Sequence, residues 1–223
     1  MLIYGDTGTG KTRLSASSQK VPQMAPALLL DFDRGTGSVD WPIKQISVVD
    51  FKQITPAINL AASGKFKTVI LDTLTELYRF LLGESSRVRR LKRPESDPDI
   101  AEQADYLRAH EWMRRILRML RDAPVHFIAT AQRGVDYDPV TQEPKGSGPM
   151  ISGRLNREVG AFFALVGCLE VSRESVVELH TEVLYQHLTK DREAKIPGVM
   201  DSPTMQELYD FYFPSKGGAR RNK

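Results

Sequence analysis

The chain has 223 residues, of which 41% are hydrophobic and 26% charged, the composition of a globular domain with one sizeable core. No apolar run approaches the roughly 18 residues of a membrane span, and the N-terminus lacks the basic-then-apolar pattern of a secretory leader, so the sequence reads as neither a membrane nor an exported protein. The single cysteine, Cys168, permits no internal disulfide and points to a reducing, cytoplasmic compartment, while a net charge of +3 is compatible with a polyanionic partner without demanding one.

Leu2-Ile3-Tyr4 predicts a short strand that runs into GDTGTGKT, residues 5–12, and then a first helix from Lys11 to about Gln19. The start reads as clipped. The spacing G-x-x-x-x-G-K-T is that of a phosphate cradle: the glycines let the backbone curl so that successive N–H groups point inward, toward the positive end of the following helix. Gly5, Asp6, Thr7, Gly8, Thr9, Gly10, Lys11, Thr12 and Arg13 are the candidate binding residues. Lys11 would reach the β- and γ-phosphates of a nucleotide, and the Thr12 hydroxyl would ligate Mg²⁺.

Pro22 and Pro26 break the chain before ALLLDF, a continuous apolar run of the kind a buried parallel strand shows, and KQISVV predicts a further extended segment. Thr55-Pro56 resembles an N-cap followed by proline at the first helical position, and Gly64 is placed to end that helix. KTVILD predicts a second buried strand with Asp72 at its carboxyl end. An acid there is expected to hold the metal opposite Thr12; the competing reading makes it a helix cap, for which Thr73 and Thr75 also suit. From Ile100 the spacing of Ala104, Leu107, Ile116, Leu117 and Leu120 predicts a long helix with one apolar stripe, closed by Pro124.

VHFIATA predicts another buried strand. RGVDYDPVTQEPKGSGPMISGR follows, with three prolines, four glycines and no periodicity, and reads as a mobile loop. LVGCLEVS and TEVLYQHLT are expected to pair as a hairpin, and Ser202-Pro203 to open a final helix carrying Leu208, Phe211 and Phe213. Strands and helices in alternation imply a mostly parallel sheet covered on both faces, with ligands beyond the carboxyl ends of its strands. Residues 1–214 are read as one domain and 215–223 as a basic flexible tail.

Thr73, not glutamate, follows Asp72, which argues against the AAA+ class, and no LSGGQ-like or NKxD motif points to transporter or GTPase families. A base to orient the attacking water is sought in LLLDFDRG, at Asp31 or Asp33, although both also fit a turn before Gly35. His110, His126, His180 and His187 have no metal-ligand spacing with Cys168, so no zinc site is expected. Trp41 and Trp112 read as packing residues. Five of the seven residues in RVRRLKR are basic, a run that is either a solvated face or a nucleic-acid contact.

The order GDTGTGKT, LLLDFD, TVILD, FIATAQ, LTKDR and a final helix resembles the RecA-like recombinase ATPases, most closely the small phage-encoded members that act in single-strand annealing and recombination. The resemblance implies an α/β RecA-like P-loop core with a C-terminal antiparallel hairpin, binding ATP and Mg²⁺. It places Asp33 where the family carries a catalytic glutamate; the shorter side chain implies slow hydrolysis. Gln132 takes the position of the γ-phosphate sensor, and Lys190 with Arg192 that of a basic pair presented to the nucleotide of the next subunit in a ring or filament. Single-stranded DNA would lie against two mobile loops, one holding Arg87, Arg89, Arg90, Lys92 and Arg93, the other Arg133, Tyr137, Lys145 and Arg154. A single-strand-binding protein is a further implied partner, and the bacterial host cytoplasm the implied location. Rival readings are a ring helicase or helicase loader on the same core, and a small-molecule kinase with an arginine-rich lid.

Overall fold

The computed structural model describes residues 1–97, 99–138, 140–182 and 187–214. Three apolar runs of the sequence become strands with every residue buried: β1 (Leu2–Gly5), β2 (Ala27–Asp31) and β4 (Thr68–Asp72). With β3 (Lys44–Ser47), β5 (His126–Tyr137) and β7 (Leu165–Val171) they form a parallel ladder. β8 (Val177–His180), β9 (Lys190–Asp191) and β10 (Val199–Asp201) add antiparallel pairs at one edge. The order across the sheet is β10-β8-β7-β1-β5-β4-β2-β3, the mostly parallel α/β arrangement expected of a RecA-like core.

Alternation along the strands builds two cores. Leu2, Tyr4, Leu28, Leu30, Val69 and Leu71 face one side, against Leu77 and Leu81 of α3 (Leu74–Lys92) and Met113 and Leu117 of α4 (Gln103–Asp122). Ile3, Leu29, Ile70 and Ile128 face the other, against Leu14 of α1 (Lys11–Ala16) and Leu208 of the last helix, α5 (Met205–Tyr212). Cutting one of these buried leucines to alanine costs about 2–5 kcal/mol, so both layers are needed to hold the strand ends level.

Several boundaries differ from the sequence expectation. The helix α2 (Ile54–Ala61) is entered through a 3-10 turn capped by Asp50, whose side chain and that of Gln53 bond each other's backbone, so Thr55-Pro56 falls inside the helix and not at its cap. Gly64 follows its end with φ 74° as expected. In α4 the buried stripe is Ala109, Met113, Leu117 and Leu120; Leu107 is 59% exposed, because the long neighbour α3 covers the face one step round. The antiparallel partner of β7 is Val177–His180, four residues N-terminal to the span expected, and most of TEVLYQHLT beyond Glu182 lies outside the described residues. The tail 215–223 lies outside them too.

The largest correction concerns the two loops. RVRRLKR is the end of α3, as far as Lys92, and not a loop. The second region is a β-hairpin: after Gln132, β5 leaves the parallel sheet and pairs from Arg133 to Tyr137 with β6 (Pro144–Pro149). Sequence periodicity missed it because Gly134, Gly146 and Gly148 alternate through the pairing and leave few side chains to show a period of two.

Candidate functional site

The carboxyl ends of β1, β2, β4 and β5 lie along one edge of the sheet, with Gly5 in register with Gln132 and Asp31 with Asp72. At that edge the glycine loop turns into α1. Gly8 and Gly10 have φ of 87° and 89°, a conformation other residues rarely adopt. The loop closes on the Asp6 carbonyl, which accepts the Thr9 hydroxyl at 2.9 Å and the Lys11 ammonium at 2.7 Å. Lys11 is buried; burial lowers its pKa against the opposing pull of Asp72, Asp6 and Asp33.

Asp72 is fully buried, and its two carboxylate oxygens have different partners. Oδ2 accepts the Thr12 hydroxyl at 2.8 Å, and Oδ1 accepts the Thr130 hydroxyl. The helix-cap alternative is resolved here: Thr73 caps α3, accepting the Glu76 N–H at 3.2 Å, which leaves the Asp72 carboxylate free to face the loop. β5 stands between β1 and β4, so the strand that brings Thr130 and Gln132 is the one that separates loop from acid. Sequence reading did not single out Thr130; a threonine two residues before the sensor position on the same strand face is the signal that could have found it.

Burial pushes the Asp72 carboxyl above its ordinary 3.8, opposed by the Thr130 and Thr12 hydroxyls and reinforced by the charges of Asp31 and Asp33. A buried carboxylate with no salt bridge among the described residues, two hydroxyl oxygens and a second acidic strand end form a hard oxygen donor set of the kind Mg²⁺ takes. When bound, the ion would neutralise phosphate charge. Asp31 and Asp33, equivalent in the sequence, have separate tasks in the fold. Asp31 is buried and its Oδ1 accepts the N–H groups of Asp33 and Arg34 at 3.1 and 2.7 Å, holding the turn in which Arg34 takes φ 56°. Among the described residues the exposed Asp33 carboxylate accepts no hydrogen bond and pairs with no cation, while its charge is felt at both Lys11 and Asp72.

Gln132 is fixed at the same edge, its N–H donated to the Thr75 hydroxyl at 3.0 Å. Beside the loop a cleft of about 500 Å³ opens, walled by Gly10, Arg13, Trp41, Val177 and Pro203. Trp41 is half-buried, donates its indole N–H to the Ala16 carbonyl at 3.3 Å, and has the Lys20 ammonium 3.6 Å and the Arg13 guanidinium 5.3 Å from its ring centre. It therefore lines a cavity next to the phosphate cradle, a place that no local sequence pattern announces because the segment after Asp33 folds back over α1. Arg13 also donates to the Ser38 carbonyl and Asp40.

The remaining candidates divide. Lys190 lies level with Val166 and Leu2, at the end of the sheet away from the loop, and donates to the carbonyls of Gly160 and Phe163 at 3.1 and 2.8 Å; burial, then Arg192, lowers its pKa. Arg192 is exposed nearby. Neither reaches the nucleotide edge of its own chain. Arg89, expected to contact DNA, does not face solvent: its side chain is 3% exposed and pairs with Asp105 at 2.7 Å, Glu102 at 3.0 Å and the Ile100 carbonyl at 2.7 Å. It ties α3 to α4 instead. Arg87 and Arg93 are exposed and pair with Glu84 and Glu102; Lys92 is exposed and Arg90 half-buried. Arg133 contacts Glu170 and, at 3.5 Å, Asp6 of the loop. Tyr137 is 57% exposed on the hairpin, where Lys145 pairs with Asp138 at 2.8 Å, and Arg154 is exposed beyond it. Trp112 packs on Phe51. Cys168, Glu170 and His187, which show no metal-ligand spacing along the sequence, present ligand atoms within 4.8 Å of one another in the fold.

A family profile described as an AAA domain (AAA_24) matches residues 1–195. The chain belongs to this AAA domain family. The sequence argument against the AAA+ class rested on Thr73, which in the structure is the cap of α3. No curated protein matches the chain. Solved structures that resemble it include a crystal structure of the RadB recombinase, 15% identical, with a TM-score of 0.47 over 80% of this chain and 78% of that one. The family match supports an AAA-type nucleotide-binding domain. Among the described residues no helix is long and apolar enough to cross a membrane.

Proposed function

We propose that this chain is a Mg²⁺-dependent ATPase that binds single-stranded DNA as a homo-oligomer and promotes annealing or strand exchange, in the manner of the phage recombination group it resembles. The observation that carries the ATPase step is the 2.8 Å contact between Thr12 and Asp72 at the mouth of the glycine loop, with Lys11 beside it. Lys11 would hold the β- and γ-phosphates, Thr12 and Asp72 the ion, and Asp33 the attacking water. Gln132 would report the γ-phosphate to the hairpin that continues its strand. The base and ribose would occupy the cleft walled by Trp41.

The DNA step is supported by the hairpin of β5 and β6, whose exposed Val135, Tyr137 and Val140 offer apolar and aromatic surface for bases beside Lys145. Arg90 and Lys92, unlike Arg89, remain available for phosphates. Assembly would let Arg192 reach a neighbour's nucleotide, Lys190 following if it exchanges its two carbonyl partners; arginine fingers are worth about 10³–10⁵ in rate. The deciding experiment is ATP turnover measured against protein concentration, with and without single-stranded DNA. Specific activity should rise with concentration and with DNA. Turnover unchanged by either would remove the oligomer and DNA parts of the reading and leave a solitary nucleotide hydrolase.

A further inference from the structure

We infer that Cys168, Glu170 and His187, with His180 at the fourth position, form a binding site for a zinc-class divalent cation, separate from the Mg²⁺ position at Asp72. Cys168 and Glu170 are two residues apart on β7 and so point to the same face. His180 ends β8, and His187 stands in the segment before β9. Three stretches of chain thus converge on one point at the antiparallel edge of the sheet. A tetrahedral ion bound at about 2.0–2.3 Å has ligand atoms roughly 3.3–3.8 Å apart. His187 Nε2 lies 3.6 Å and His180 Nε2 3.7 Å from the same oxygen, Glu170 Oε2, too long for hydrogen bonds and the right span for a shared ion. The Cys168 sulfur falls within the 4.8 Å cluster.

The surrounding contacts orient the ligands as metal sites require. His187 uses Nδ1 to meet the Ser147 hydroxyl at 2.9 Å, which turns Nε2 toward Glu170. Arg133 takes the other carboxylate oxygen, Oε1, and leaves Oε2 facing the histidines. His180 has Nε2 3.1 Å from Glu178 and a buried Nδ1 with no hydrogen-bond partner among the described residues, so a change of partner at this ring completes the set. Arg133 pairs with Asp6 and Glu170, and with the sulfur that becomes a thiolate on binding these acids leave a negative balance that favours a dication. Thiolate and imidazole select zinc over magnesium. The site rests on none of the residues assigned to nucleotide, so either reading can fail alone.

Cobalt(II) is the probe, because a thiolate bound to it gives a charge-transfer absorption that oxygen and nitrogen ligands do not. The full chain, refolded with one equivalent of Co²⁺, should show that band, and Zn²⁺ should displace it stoichiometrically. Cys168→Ser should abolish the band, and His187→Gln should weaken binding in competition with a chromophoric chelator. Ser147→Ala, acting through the orientation of His187, should cost about 10–100-fold in affinity. Lys11→Ala should leave all of this unchanged. Absence of the band in folded wild-type protein would overturn the inference, as would weak binding that is equal in wild type, His187→Gln and Ser147→Ala, the signature of an adventitious ion only.

Discussion

The nucleotide edge and the end of α3 are both dense in charge, yet they use it in opposite ways. At the edge, Asp72 is fully buried with only hydroxyls for partners, and Asp33 is exposed with none among the described residues. At the end of α3, Arg89 is buried too but meets two carboxylates and two carbonyls, and Arg87 and Arg93 have acids of their own. Charge left unpaired at a strand end is held ready for a ligand; charge paired across two helices holds the helices. Burial alone separates neither case. The partner does.

The strongest way to break that contrast is at the unpaired side. Lys11→Ala or Asp72→Asn should lower ATP turnover by at least about 10²–10³-fold, the scale for removing one preorganised electrostatic contact, with the fold intact by circular dichroism. Turnover near wild type would place the chemistry elsewhere. On the paired side, Arg89→Ala should destabilise the fold by about 3–5 kcal/mol in denaturant unfolding, since it strands Asp105 in the core. A stable Arg89→Ala protein with weakened DNA binding would make the pair an interaction site and not a brace.

A finer probe is Trp41, which sequence reading took for packing. Trp41→Ala should weaken nucleotide binding by about 1–3 kcal/mol in titration calorimetry, the range for an aromatic stacked on a base. The pH dependence sharpens the contrast by sign. Asp72 has its folded pKa raised above 3.8, so the folded apo protein binds the extra proton, and stability falls as pH rises from 3.8 through the folded value. Above that window Asp72→Asn should therefore be the more stable apo protein, and saturating Mg²⁺ with ATP should reverse the order. The smallest effect belongs to Arg87→Ala, whose solvent-screened pair with Glu84 should leave the denaturant midpoint indistinguishable from that of the wild type.

These contrasts explain what the sequence could disclose. The glycine loop, Thr12 and Asp72 were legible because each depends on its immediate neighbours: glycine at positive φ, an apolar run that ends in an acid. The parallel sheet was legible for the same reason. Arg89 was not, because its partners sit 13 and 16 residues along, on another helix, and a run of arginines looks alike whether paired or free. The hairpin was hidden by glycines, and the grouping of Cys168, Glu170 and His187 by a convergence of strands that no linear spacing encodes.

β5 runs without interruption from the buried layer between loop and acid out to the solvent at Tyr137, bonded along its way first to β1 and β4 and then to β6. A strand so tethered has no hinge between its two halves. Load applied at the outer tip is borne by the same backbone that spaces Thr12 from Asp72, and a displacement at one end must be absorbed at the bulge beside Tyr137 or be felt as a change in that spacing.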